Sequence, residues 1–416
     1  MTDTTVDESL PILAGPADSL RPVVDDPAAL GECIAALRDG TGPISIDTER
    51  AQTFRYSAKA YLIQVRREGA GTWLVDPASL ENGSPRADLA ELTAALDDVW
   101  VLHAASQDLP CLTEVGMIPS ELFDTELAGR LLGLPRVGLG ALVEEALGVR
   151  LLKEYSAVDW SSRPLPAEWL VYAALDVELL GDLKQWLTTR LEAAGKDEWA
   201  RQEFAHVLTT YTAPPVPRTD PWRRTSGIHH LRSERALAVV AELWATRDIL
   251  ARSMDKAPSR LLPDRVVVEI AGLAKPGVQK IGRADVLSLP GMRRRQYQRH
   301  LPNWLDAVGR AMSLPRADLP PRSLPQDGPP PVRSWEARNP EAAARWDTAR
   351  PAVVALAADL SLPVENLITP DTLRRVLWND PPGDGDWADA LRTLGARPWQ
   401  TSLVAPVLTA AAGDHA

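Results

Sequence analysis

Four acids and one phenol carry the chemistry that can be read from this chain of 416 residues. Ile44-Ser45-Ile46-Asp47-Thr48-Glu49 is a short β-like run ending in two carboxylates one residue apart. Strand alternation puts Asp47 and Glu49 on one side, where both can point at a single divalent cation. Held close, such groups repel each other and take up a proton unless a metal or another cation neutralises them. An isolated Asp-x-Glu is more often an acidic strand end facing solvent, so the downstream residues decide. The apolar run Val99–His103 leads into Ala104-Ala105-Ser106-Gln107-Asp108, which places Asp108 just inside a helix opening near the sheet's end, with Ser106 available as its N-cap. There Asp108 either complements the helix dipole or serves as a ligand. Tyr172 and Asp176, four residues apart in a helical stretch, share one face one turn apart, and the small Ala173 and Ala174 leave room for a close approach. Alone, that pair reads as a simple side-chain hydrogen bond. Carboxylate oxygens without His or Cys select Mg²⁺ or Mn²⁺ over zinc or copper.

The elements that must position these groups follow from periodicity and punctuation. Residues 1–21 read as an acidic flexible tail. A helix is expected from Asp26 to Leu37, with Pro27 in its first turn. Strand-like runs follow at Pro43–Thr48, Tyr61–Arg66, Thr72–Asp76 and Val99–His103. Helical patterns occupy Arg86–Leu96, Ser106–Val115, Asp124–Leu132 and Leu139–Leu147, and one long helix runs from Pro166 to about Leu191, followed by another to about residue 210. Strands first and then mixed with helices predict an α/β layer fold. Four prolines within Thr212–Pro221 mark a linker over 212–227, and a second Pro-rich linker spans 313–333. Between them, 228–312 is helical throughout. Residues 334–416 partly echo it, Pro363-Val364-Glu365-Asn366-Leu367-Ile368-Thr369-Pro370-Asp371 answering Pro258-Ser259-Arg260-Leu261-Leu262-Pro263-Asp264, which reads as a tandem repeat with a degenerate second copy.

Composition narrows the function classes. The length exceeds one ordinary core and predicts two or three domains. Cys33 and Cys111 are the only cysteines, too far apart for a metal-ligand pair, which argues against a disulfide framework and a zinc site. The N-terminus lacks the basic and apolar regions of a signal peptide, and no apolar run approaches the length of a membrane span, so a cytoplasmic enzyme with no membrane partner is expected. The net charge of −11 conceals an asymmetry: residues 1–217 hold 17 basic and 34 acidic side chains, whereas 218–310 hold 18 and 9. A metal-dependent catalytic region beside a module that attracts phosphate backbones fits that distribution; a basic solvated helical surface is the alternative.

Together the motifs resemble the ribonuclease D family of 3′–5′ exonucleases, the DEDDy branch of the ribonuclease H-like exonucleases. The resemblance rests on Ile46-Asp47-Thr48-Glu49, His103-Ala104-Ala105-Ser106-Gln107-Asp108-Leu109, Phe123-Asp124-Thr125, and Asp159-Trp160-Ser161-Ser162-Arg163-Pro164-Leu165 leading to Tyr172-Ala173-Ala174-Leu175-Asp176-Val177. It implies a ribonuclease H-like α/β domain over 22–211, a mixed sheet flanked by helices, followed by two all-α HRDC-like bundles. It also implies hydrolysis of RNA 3′ ends to nucleoside 5′-monophosphates, on tRNA precursors or other stable RNA, with DNA as the alternative substrate. Asp47, Glu49, Asp108 and Asp176 would bind two divalent cations, and Tyr172 would orient the attacking water. A catalytically silent nucleic-acid-binding scaffold is the rival from another class.

Other residues divide between roles. Arg163 either contacts a phosphate or forms a structural ion pair. Phe54 and Tyr56 either stack on terminal bases or pack in the core. Asp124 reads as a helix N-cap rather than a fifth ligand. In the basic module, Arg293, Arg294, Arg295 and Arg299 with Lys280 form the densest positive cluster and the expected phosphate contacts. No Walker-type loop accompanies it, so no helicase motor is present.

Overall fold

A computed structural model describes residues 10–152, 155–324, 328–379 and 387–413. Seven strands occur among them: β1 (Ile12–Leu13), β2 (Thr41–Arg50), β3 (Ala60–Glu68), β4 (Gly71–Val75), β5 (Trp100–Leu102), β6 (Leu122–Asp124) and β7 (Arg150–Leu151). Five form one mixed sheet in the order β4-β3-β2-β5-β6, with β2, β3 and β4 antiparallel and β2, β5 and β6 parallel. The strand bearing Asp47 and Glu49 is therefore central and flanked on both sides. One face of the sheet, through Ile44, Ile46, Ile63 and Val65, enters the main core. The other, through Leu62 and Leu74, meets Ala173 and Ala174 of the helix Ala167–Glu178. Small residues at those two positions let the helix lie close to the sheet, which brings Tyr172 and Asp176 over the end of β2.

The sequence signals hold in outline. The helix Pro27–Asp39 starts with Pro27 in its first turn, and the Asp26 carboxylate caps it by accepting from the Ala28 and Ala29 amides at 2.8 and 2.9 Å. Leu139–Leu147 is helical over the predicted span. Four expectations change. The long helix from Pro166 divides into Ala167–Glu178 and Leu180–Ala193, the break falling at Leu179 ahead of the weak helix former Gly181. Arg86–Leu96 shortens to Ala90–Ala95. Residues 10–21 are not a free tail: β1 pairs with β7, Arg21 stacks on Trp73 at 4.3 Å, and the Ala17 amide donates to Glu178 at 3.1 Å. Residues 1–9 of that tail lie outside the described residues. The first linker also ends early, because Trp222 and Thr225 are buried in the following bundle.

The three regions use two hydrophobic cores. The bundle of 221–314 has its own, built on Val239, Leu243, Ile270, Val308 and Trp304. The third helical region, with Trp335, Val353 and Leu408, shares the core of the sheet domain. Its helix order, Pro340–Asp359, Val364–Leu367, Pro370–Trp378, Trp387–Thr393 and Pro398–Gly413, parallels that of the basic bundle. The join runs along the helix Asp197–Thr212. Phe204 packs on Phe123 of β6 at 4.9 Å, while Trp199 stacks on Trp399 at 4.8 Å. Buried Glu203 accepts from Arg397 Nε at 2.6 Å and from Trp399 Nε1 at 2.8 Å, and Lys196 Nζ donates to the carbonyls of Leu131 and Leu360, each at 2.7 Å.

No described helix is long and apolar enough to cross a membrane. Replacing Glu203 removes the carboxylate partner of the half-buried Arg397 guanidinium and leaves the buried Trp399 indole N–H without its acceptor. Glu203→Ala is expected to lower unfolding free energy by about 2–4 kcal/mol in urea titration and to speed proteolysis within 334–413.

Candidate metal centre

Asp47 and Glu49 leave β2 on the same face, and Asp176 reaches them from the covering helix. Each of the three places a carboxylate oxygen within 4.8 Å of the others. Glu49 is buried, and Asp47 and Asp176 are half-buried. The fourth expected acid arrives from the opposite side of the strand. Thr48, between the two acids, points away from them by alternation, and its hydroxyl donates to Asp108 Oδ1 at 2.6 Å. Asp108 precedes the short helix Leu109–Thr113 without capping it, and among the described residues it stands outside the group of three acids within 4.8 Å. Ser106 does not cap that helix; it lies in a turn of 3₁₀ helix, Ala105–Gln107.

The electrostatics follow from this crowding. Burial, then the charges of Asp108, Asp176 and Glu49, push the Asp47 pKa well above the carboxylate range. Burial, with the charges of Asp176 and Asp108, pushes Glu49 up to about 9, partly offset by Arg50. Burial raises Asp108 to about 6 against the pull of Thr48 and Arg50. Burial and the charges of Asp176, Glu49 and Asp47 also raise the Tyr172 phenol above its ordinary value. Tyr172 hydrogen-bonds Asp176, and its ring is held edge-on to Tyr155 at 6.0 Å and beside Trp160 at 6.4 Å. A cluster of hard oxygen donors whose own repulsion opposes ionisation is suited to a divalent cation, which relieves that repulsion when bound.

Sequence reasoning did not single out Thr48 or Arg50. Arg50 Nη1 donates to the Gln107 carbonyl at 2.6 Å, and Nη2 lies 3.9 Å from Asp108 Oδ1, which ties β2 to the Asp108 turn and places a fixed cation beside the acids. Thr48 lies inside the acidic motif and Arg50 directly follows it, yet their role depends on a segment about sixty residues away. Asp124 is the N-cap of Thr125–Leu131, as expected, accepting from the Glu126 and Leu127 amides at 3.0 and 3.1 Å. It also accepts from the Ala104 and Ala105 amides at 3.1 and 2.9 Å. That second pair holds the left-handed turn at Ala104, φ +58°, which launches the chain toward Asp108.

Arg163 forms the structural ion pair that was one of its two expected roles. Its Nε and Nη2 both donate to Asp76 at 2.6 Å, Nη1 donates to the Trp160 and Ser162 carbonyls, and Nη2 also reaches the Tyr61 carbonyl at 2.9 Å. Glu49 pairs with Leu62 and Arg50 with Ala60, so Tyr61 is bulged out of the ladder, and Arg163 takes up its released carbonyl. Phe54 and Tyr56 form the seam with the basic bundle. Arg260 sits over Phe54 at 4.1 Å, and the Tyr56 hydroxyl donates to Asp248 at 2.9 Å. Arg293, Arg294, Arg295, Arg299 and Lys280 are exposed on that bundle, and among the described residues none of them is ion-paired, whereas Tyr297 is buried in its core.

A mixed sheet covered by a helix that brings Tyr172 and Asp176 over Asp47 and Glu49 fits a 3′–5′ exonuclease domain, and comparison with known proteins agrees. Residues 22–192 match the model of the 3′–5′ exonuclease family, 236–308 that of the HRDC domain, and 328–412 that of the 3′ to 5′ exonuclease C-terminal domain. The chain is 32% identical to the ribonuclease D of a Jannaschia species over 68% of its own length and 72% of the relative's. It is also 32% identical to that of Gluconacetobacter diazotrophicus, over 69% and 71%. This chain belongs to the ribonuclease D family and is a 3′–5′ exoribonuclease. A crystal structure of a protein from Bifidobacterium adolescentis, 37% identical, superposes with a TM-score of 0.86 over 97% of this chain and all of that one. Escherichia coli RNase D, 24% identical, gives 0.67 over 95% of this chain and all of its own, a likeness that speaks for the fold alone.

The raised pKa of Glu49 has a consequence for stability. A carboxyl whose folded pKa lies above its unfolded value stabilises the fold at low pH and loses that contribution as pH rises through the folded value. In chelator, the melting temperature of Glu49→Gln relative to wild type is therefore expected to climb between about pH 5 and about pH 9, by at least about 2 °C. Thermal melts with Mn²⁺ restored should reverse the order, because the cation stabilises only the chain that binds it.

Proposed function

We propose that this enzyme releases nucleoside 5′-monophosphates from RNA 3′ ends, with Asp47, Glu49, Asp108 and Asp176 binding two divalent cations, Mg²⁺ or Mn²⁺, at the cleavage point. The observation that carries the reading is the convergence of Asp47, Glu49 and Asp176 within 4.8 Å, with Asp108 held beside them by Thr48. When bound, the cations supply Lewis acidity at the phosphoryl oxygens and offset charge on the attacking and leaving oxygens.

The chain's own residues supply position. Tyr172 stays protonated, because burial and the neighbouring acids oppose its ionisation. Its hydroxyl donates to Asp176 and keeps its oxygen lone pairs free to accept from the attacking water, which fixes that water's orientation without deprotonating it. Thr48 and Arg50 fix Asp108 relative to β2, and Asp124 fixes the turn before it.

The HRDC surface extends the site toward the rest of the RNA. Lys256 and Arg299 both bear on His300, and Asp255, next to Lys256, accepts from the Ser57 amide at 2.9 Å in the loop that follows the catalytic strand. The exposed cations of the bundle offer a path for a phosphate backbone toward the seam. Relatives named ribonuclease D support RNA over DNA, and tRNA precursors or other stable RNA are the substrates proposed.

Denaturing gels of a 5′-labelled single-stranded RNA and its DNA counterpart test the reading. Wild type is expected to give a Mg²⁺- or Mn²⁺-dependent ladder shortening from the 3′ end, stronger on RNA. Asp176→Ala should give none while melting in chelator at or above the wild-type temperature, and Tyr172→Phe should lower kcat by about 10²–10³. An active Asp176→Ala would rule out the metal assignment. Substituting Ala for Arg293, Arg294 and Arg295 together should weaken RNA binding and reduce the slope of log K against log salt by about 2. An unchanged slope in a salt titration would return those arginines to a solvated face.

A further inference from the structure

Gln64 is fully buried, with no exposed area, and neither its Oε1 nor its Nε2 has a hydrogen-bond partner among the described residues. Native interiors rarely leave a whole carboxamide unpaired, because the lost hydration is not returned. Its place in the sheet is specific. Gln64 of β3 pairs directly with Asp47 of β2, and on its other side with Leu74 of β4. Cross-strand partners project to the same face with Cβ atoms about 4.5–5.5 Å apart. Gln64 thus stands under the helix Ala167–Glu178, on the face that carries Asp47, Glu49 and Leu62. On that face Leu62 and Leu74 flank it with apolar side chains, and Asp47 is the carboxylate directly opposite it in the ladder.

The other acids show what such a partner does. Asp108 is oriented by the Thr48 hydroxyl and Asp176 by the Tyr172 hydroxyl. Among the described residues, the hydrogen bond to Asp47 comes from the backbone amide of Thr48. An ionised carboxylate offers about four lone-pair sites, more than one amide and one cation occupy. Carboxylates that ligate metals are themselves held by hydrogen bonds, and their loss costs about 10–100-fold in metal affinity.

We propose that Gln64 is a positioning residue of the metal centre, its Nε2 donating to Asp47 when the centre is loaded and so fixing the orientation of that carboxylate. The terminal torsion of Gln64 is broad, so its carboxamide can turn at little cost. The inference rests on the reading of Asp47 as a metal ligand.

The test uses the full-length protein with Gln64→Met, which keeps the length of the side chain and removes the carboxamide, and with Gln64→Leu. In chelator both variants are expected to melt at or above the wild-type temperature, since the group removed has no partner there. Calorimetric titration with MnCl₂ should show affinity weakened about tenfold or more. At limiting Mn²⁺, kcat on a 5′-labelled single-stranded RNA should fall while KM for the RNA stays unchanged, and added Mn²⁺ should restore turnover. Mn²⁺ affinity within about twofold of wild type in either folded variant would overturn the proposal. So would a lowered melting temperature with a raised KM, or failure of both variants to fold, since each marks Gln64 as structural. Asp47→Asn separates the two readings: if it binds Mn²⁺ as wild type does, the assignment of Asp47 fails and this inference fails with it.

Discussion

Like charges forced together in a place poor in water are the constraint on which this structure turns. Asp47, Glu49 and Asp176 approach within 4.8 Å, and Asp108 stands close enough to raise the pKa values of two of them. Left to themselves, such groups separate or protonate. They stay because each is carried by an element that the rest of the fold holds in place. Asp47 and Glu49 ride on the central strand of five, Asp176 on a helix seated by alanines, and Asp108 on a turn tied down by Asp124, Thr48 and Arg50. The hydrophobic core offsets what the site costs.

This division of labour explains why so many polar contacts near the site serve geometry. Arg163 joins Asp76, the Tyr61 carbonyl and the loop before the covering helix, which anchors that loop to the sheet. Asp124 spends its four accepted amides on two successive segments. Phe54 and Tyr56 couple the loop after the catalytic strand to the HRDC bundle through Arg260, Asp248 and Arg252. The seam between nuclease and HRDC unit thus begins only a few residues beyond Glu49.

What was legible in the sequence was local. The periodicity of Leu139–Leu147, the helix start at Pro27 and the Tyr172–Asp176 spacing depend on neighbours within a turn or two, and they survive folding unchanged. What was illegible depends on distant partners. β6 is three residues long and gains its identity from lying beside β5, while Ile12-Leu13 becomes a strand only by meeting Arg150-Leu151. Arg163 could be read two ways because a phosphate and Asp76 ask the same of a guanidinium, and Asp76 is 87 residues away. Alternation correctly put Asp47 and Glu49 together, but it says nothing of which segment meets Thr48 from the other face.

The sharing of one core by the first and last parts of the chain bears on how the protein is made. The helix Asp197–Thr212 leaves the ribosome long before Trp399 and Arg397 exist to cover Trp199 and Glu203. During synthesis that flank of the nuclease is bare, while the intervening HRDC bundle, with a core of its own, can close independently. The nuclease body is therefore completed last, by its C-terminal helices. A nascent chain stalled before them would present an apolar flank to chaperones and proteases, and full-length enzyme would be favoured over truncated forms that already carry all four acids.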